Sequence, residues 1–147
     1  NNDNQFNVPV GKVDLSSSIY KNLKLFVNHI KSKNISFSNK DFREQSLYQD
    51  KKAIYYFDPP YLITNAPYNS NWNIDDEKDL LNLLDDLNDK GIKFALSNVI
   101  LSNGKENTLL KEWSKKYITL ILKRQYRNAN YQKKNITDTI EVLIKNY

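Results

Sequence analysis

Ala53-Ile54-Tyr55-Tyr56-Phe57-Asp58-Pro59-Pro60-Tyr61 is the stretch on which the fold turns. Apolar and aromatic residues run without a break from Ala53 to Phe57 and stop at a carboxylate and two prolines. Such a run predicts a strand buried on both faces, as in the parallel sheets of α/β proteins. Ligands of open α/β sheets bind outside the carboxyl ends of the strands, and Asp58 to Tyr61 falls there. Two successive prolines fix φ near −65° and carry no N–H, so the local carbonyls can be aimed at a ligand without competing ladder bonds. Asp58 adds an acceptor and Tyr61 a flat face. Two acceptors and one aromatic plate suit a planar amine such as a nucleobase drawn out of its duplex. Extrusion costs on the order of a few kcal/mol, and base–aromatic stacking returns about 1–3 kcal/mol. The plainer reading of the same residues is a proline-rich strand exit with Asp58 as a turn residue.

The flanking pattern is that of an α/β sheet with a mixed edge. Upstream, Ser16 to Ser18 offer N-caps to a helix with Ile19, Leu23, Phe26, Val27 and Ile30 on one face. His29 lies beside that stripe and reads as a surface residue. Ile35-Ser36-Phe37-Ser38 alternates like a short strand. Downstream, Leu62 to Asn73 is polar and aperiodic; within it, Tyr68 and Trp72 are candidates to cover an extruded base. Asp75 is the expected cap of the next helix, with Asp76, Glu77 and Asp79 placing negative charge at its positive end. Leu80, Leu81, Leu84 and Leu87 form the buried face of that helix, and Gly91 suits a left-handed C-terminal residue. A strand over Ile92–Leu96, a helix carrying Leu109, Leu110 and Trp113, and strands over Tyr117–Leu122 and Thr139–Ile144 complete the chain. The last two strands are expected to pair as a long-looped hairpin.

Composition removes several function classes. At 147 residues the chain is the size of one domain. There is no cysteine, which excludes disulfide scaffolds, thiolate zinc sites and cysteine nucleophiles. One histidine, His29, rules out multi-histidine metal sites and argues against a Ser-His-Asp hydrolase. Gly11, Gly91 and Gly104 are too far apart for a glycine-rich nucleotide loop. No apolar run approaches the roughly 18 residues of a membrane helix and no charged-then-apolar leader opens the chain, so a soluble, cytoplasmic protein is expected. The net charge of +5 is unevenly spread: residues 1–40 carry +4, 41–90 carry −6 and 105–147 carry +6. Basic flanks around an acidic middle suggest a polyanion touched by the ends of the chain, although a solvated lysine-rich surface would look the same.

Asp58-Pro59-Pro60-Tyr61 resembles the catalytic motif of the S-adenosylmethionine-dependent amino methyltransferases, which act on exocyclic nitrogens. More narrowly, the chain is similar to the Dam-like (alpha-class) DNA adenine N6-methyltransferases. Phe6-Asn7-Val8-Pro9-Val10-Gly11-Lys12 resembles the end of that class's DNA-recognition insertion, and Asn39-Lys40-Asp41-Phe42 the short motif before the catalytic strand. Leu96-Ser97-Asn98 resembles the strand after the catalytic helix, and Glu141 to Tyr147 the closing strand. These likenesses run in order over nearly the whole chain. One departure is large: the aromatic-Gly-x-Gly segment and the ribose-binding acid of the family's N-terminal half have no counterpart here.

The resemblance therefore implies the C-terminal half of a Rossmann-like methyltransferase sheet, with helices on both faces and a terminal antiparallel hairpin. Residues 1–15 would be the tail of the DNA-recognition region and 16–147 the catalytic half, the cofactor-binding half being elsewhere. The polar opening residues Asn1 to Gln5 look like the interior of a longer polypeptide. By the same resemblance, Asp58, Pro59, Pro60 and Tyr61 are catalytic, and Asp41, Phe42 and Asp58 contact S-adenosylmethionine, with no metal. Pro9, Lys12, Arg124 and Arg127 face DNA; Arg124 and Arg127 belong to a basic, aromatic-interleaved loop with Lys123, Lys133, Lys134, Tyr126, Asn128 and Tyr131. The implied partners are double-stranded DNA with a flipped adenine and a complementary N-terminal half or partner chain. The implied setting is a bacterial or phage-encoded enzyme of the restriction-modification type. Two other readings stay open: an inactive DNA-binding remnant or subunit, and an RNA amino methyltransferase.

Overall fold

The computed structural model describes residues 16–64, 71–122 and 139–147, and the chain divides into two compact units, Asn1–Asn39 and Lys40–Tyr147. In the first unit, α1 spans Ser17–Lys31. Ser16 caps it as expected, its hydroxyl accepting from the Ile19 N–H. The apolar stripe is there as a stripe, yet Ile19, Leu23 and Phe26 are all exposed and no residue of α1 is buried. Ile35–Ser38 is not a strand: it has no regular structure, and Phe37 is 81% exposed. Alternation sets which way side chains would point but supplies no neighbour for the backbone N–H and C=O groups, and a strand needs one.

The second unit holds the sheet. Its strands are β1 (Ile54–Phe57), β2 (Lys93–Ser102), β3 (Lys105–Glu106), β4 (Ile118–Leu122) and β5 (Ile140–Lys145), in the order β1-β2-β5-β4, with β3 paired to the end of β2. β1 and β2 are parallel, with Phe57 opposite Leu96. β2–β5 and β4–β5 are antiparallel, so the terminal pair forms as the sequence suggests. β2 runs six residues past the expected end at Leu96 and turns through Asn103-Gly104 into β3. Both turn residues have positive φ, 51° and 76°, the geometry that an Asn-Gly hairpin loop provides.

α2 (Ile74–Asp89) crosses from β1 to β2, and α3 (Thr108–Ser114) precedes β4. Asn73, not Asp75, is the cap of α2. Its side-chain oxygen accepts from the Asp75 and Asp76 N–H groups, and the Asp76 carboxylate takes the Asn73 N–H in return. Gly91 closes the helix at φ 68°, as expected. Leu80, Leu84 and Leu87 of α2 and Leu110 and Trp113 of α3 are buried in one core with Phe94 and Leu96 of β2 and Val142 and Ile144 of β5. Each such side chain contributes about 1.5–3 kcal/mol of burial free energy.

Because α2 and α3 pack on the same side chains of β2 and β5, both lie on that single sheet face, where the resemblance implies helices on both. Asp85 of α2 binds them together, accepting from Trp113 Nε1 at 2.9 Å, the Tyr117 hydroxyl at 2.6 Å and Lys116 Nζ at 2.7 Å. On the other face Ile54, Tyr56, Ile118, Leu120 and Leu122 are exposed.

Candidate active site

Asp58 follows the last residue of β1, where a short strand delivers it to the sheet's carboxyl end. Its Oδ1 accepts two hydrogen bonds, from the Ser97 hydroxyl at 2.8 Å and the Tyr61 hydroxyl at 3.0 Å. Ser97 is buried on β2, one residue beyond Leu96, the register partner of Phe57. The Tyr56 hydroxyl donates to Ser97 Oγ at 2.9 Å. After Tyr61 the chain turns, both the N–H and the hydroxyl of Thr64 donating to the Tyr61 carbonyl at 3.1 Å. Asp58 is itself exposed. Burial pushes the Tyr61 hydroxyl up to about 12, with Ser97 opposing and the Asp58 carboxylate adding to it, so the hydroxyl keeps its proton at neutral pH.

Asp41 and Phe42 are fastened beside this strand through Tyr48. The Tyr48 hydroxyl donates to the Phe42 carbonyl at 2.7 Å, and its ring packs on Tyr55 and Phe57 of β1 with centroids 5.3 and 5.8 Å away. Phe42 in turn packs on Trp72 at 5.6 Å and lies under the Arg43 guanidinium at 4.3 Å. Arg43 joins three carboxylates: Asp79 at 2.8 Å, Asp76 at 2.5 Å and Asp41 at 3.3 Å. Asp79 and Asp76, more than Asp41, raise the already high pKa of the guanidinium. The backbone N–H of Asn73, with Arg43 second, holds Asp76 below the ordinary carboxylate range.

The sequence reading missed three features. Ser97 was visible only as part of a motif, although a polar residue at the carboxyl end of a parallel neighbour strand is a natural partner for Asp58. Arg43 gave no signal, because its two strongest partners, Asp76 and Asp79, lie 33 and 36 residues away. Glu77, read as a helix-dipole charge, is fully buried: Oε2 accepts from Trp72 Nε1 at 2.8 Å, and Oε1 from Asn107 Nδ2 at 2.9 Å and Asn98 Nδ2 at 3.2 Å. The signal was its position three residues before Leu80, four before Leu81 and seven before Leu84, on the apolar stripe. Trp72, a candidate to cover a base, is half-buried and packs against the core cluster, its ring fastened through Nε1 to Glu77. Tyr68, Pro9, Lys12, Arg124, Arg127 and the rest of the basic loop lie outside the described residues. A polar cleft of about 480 Å³ is lined by Asp85, Asp89, Lys116, Tyr117, Lys145 and Asn146 and contains none of the candidate residues.

A family model described as D12 class N6 adenine-specific DNA methyltransferase matches residues 1–132. The chain belongs to this family. It is 41% identical over 158 aligned positions to the type II methyltransferase M.FokI of Planomicrobium okeanokoites, and 38% identical over the same length to the modification methylase StsI of Streptococcus sanguinis. Both alignments cover the whole chain and 24% of the relative. The modification methylase LlaI of Lactococcus lactis subsp. lactis is 34% identical over 122 positions, covering 77% of the chain and 19% of the relative. The chain thus spans about a quarter of the length of the curated relatives it matches. Among the described residues of this D12-class chain, no helix is long and apolar enough to cross a membrane.

Proposed function

We propose that these 147 residues form the base-accepting catalytic part of a DNA adenine N6-methyltransferase, with residues 1–15 as the tail of the DNA-recognition region and 16–147 as the catalytic half. The observation that carries the proposal is the Asp58 carboxylate, exposed at the end of β1 and held on one oxygen by Ser97 and Tyr61, inside an Asp-Pro-Pro-Tyr motif of a D12-class chain.

S-adenosylmethionine is the methyl source this reading requires; when bound, it supplies an electrophilic methyl group. The residues present fit its adenine end. Asp41 keeps just over half of its side-chain surface open and Phe42 is half-buried beside it, an acceptor next to an aromatic ring. The glycine segment expected at the methionine end lies outside these residues.

Asp58 and the Pro59 carbonyl accept the two N–H bonds of an adenine amino group. That interaction would raise electron density on a weakly nucleophilic nitrogen and stabilise the positive charge developing there as the N–C bond forms and the methyl–sulfur bond breaks, its electron pair leaving on a neutral thioether. The proton becomes acidic only after transfer, so Asp58 need not be a strong base; it passes the proton to the solvent it already faces. Tyr61 stacks on the flipped base. Pro9, Lys12, Arg124 and Arg127 are proposed DNA contacts, the lysine as a point charge on phosphate. A complementary half of the domain, from the same or another polypeptide, completes the cofactor site.

The test is product identity. An intact methylase carrying this chain, given duplex DNA and methyl-labelled S-adenosylmethionine, is expected to yield labelled N6-methyladenine after digestion to nucleosides. Label on cytosine, or on RNA in preference to duplex DNA, overturns the proposal.

A further inference from the structure

The Asp58 carboxylate stands on an exposed segment, where a free aspartate would sample several rotamers. Two donors converge on its Oδ1, and among the described residues none reaches Oδ2. A carboxylate doubly engaged at one oxygen presents the other. Of the two donors, Ser97 is the rigid one. It is 8% exposed, its strand is paired on both sides, and its neighbours Leu96 and Asn98 are buried toward the helices, Asn98 bonded to Glu77.

A serine hydroxyl has one proton and can spend it on any nearby acceptor. Here Tyr56 occupies the accepting side of Ser97 Oγ at 2.9 Å, which turns the proton outward. Asp58 Oδ1 at 2.8 Å then outcompetes the Phe57 carbonyl at 3.5 Å, by distance and charge, and the neutral Tyr61 hydroxyl oxygen beside it, by charge. Resting on the reading of Asp58 above, we infer that Ser97, oriented by Tyr56, is the positioning residue that sets Asp58 so that Oδ2 meets the target amino group.

The experiment is steady-state methylation by the intact methylase carrying this chain, with Asp58→Ala, Ser97→Ala, Ser97→Thr and Tyr56→Phe compared. Ser97→Ala is expected to lower kcat by about tenfold or more, with KM for DNA and for S-adenosylmethionine nearly unchanged. Ser97→Thr, which keeps the hydroxyl, is expected to restore most of the rate. Tyr56→Phe, which removes only the hydroxyl and keeps the ring, is expected to lower kcat by about threefold through the same bond. In an Asp58→Ala background, Ser97→Ala is expected to add nothing. If Asp58→Ala is inactive but Ser97→Ala keeps kcat within about twofold, the positioning role is overturned while the assigned chemistry stands. If Asp58→Ala is itself active, the assigned chemistry fails first. If Ser97→Ala melts early or loses duplex affinity, Tyr56→Phe decides: an unchanged kcat overturns the inference.

Discussion

At the residue scale, the carboxylates are distinguished by their partners. Glu77 accepts from three neutral N–H donors on the buried side of α2. Replacing it by Gln keeps the shape but turns an amide NH₂ toward at least one of those donors. Glu77→Gln is therefore expected to lower stability by about 1–3 kcal/mol, read as a fall in the urea midpoint at unchanged slope. Asp85 responds to acid instead. Burial works against its charged form, but Lys116, Tyr117 and Trp113 outweigh burial and hold it below the ordinary carboxylate range. A depressed folded pKa means a stabilising contribution that is whole above the unfolded value of about 3.9 and is lost as pH falls through the lower folded value. Asp85→Asn is expected to reduce stability at neutral pH and to flatten the loss on the acid side; an acid limb as steep as wild type would contradict the assignment. Asp58 could be read from its motif. The hydroxyl that holds it could not, because Ser97 is 39 residues away and only the β1–β2 register brings the two together.

At the element scale, local chemistry and the pairing of the last two strands were legible, and the pairing of the other strands was not. The α1 cap, the α2 stripe, Gly91 and the last two strands follow from spacing alone. The α2 cap was misplaced because Asn73 and Asp75 are both good cap residues, and only the reciprocal bond from Asp76 selects Asn73. Asn73→Ala is expected to cost about 1 kcal/mol, seen as a lower melting temperature with the fold retained. The Asn103-Gly104 hairpin carried a strong turn signal that lay beyond the expected end of its strand. Ile35–Ser38 shows the converse: a periodic pattern without a neighbouring strand stays irregular.

At the scale of the whole molecule, β1 reads as a central strand yet lies at the sheet edge, paired among the described residues with β2 alone. Ile54 and Tyr56 are 55% and 62% exposed. An edge with unpaired backbone groups and apolar side chains recruits further chain, which agrees with a chain about a quarter as long as its relatives. The purified 147-residue chain is accordingly expected to self-associate at micromolar concentration in sedimentation; a cooperatively folding monomer would contradict that. On the proposed reading, the complementary half of the domain would cover this edge beside Asp58. The most direct test of the account is Asp58→Ala in the intact methylase, with methyl transfer to adenine and duplex affinity measured together. The expected result is loss of transfer with affinity nearly intact, because the carboxylate meets the flipped base and not the phosphates. Methylation within about tenfold of wild type would contradict it.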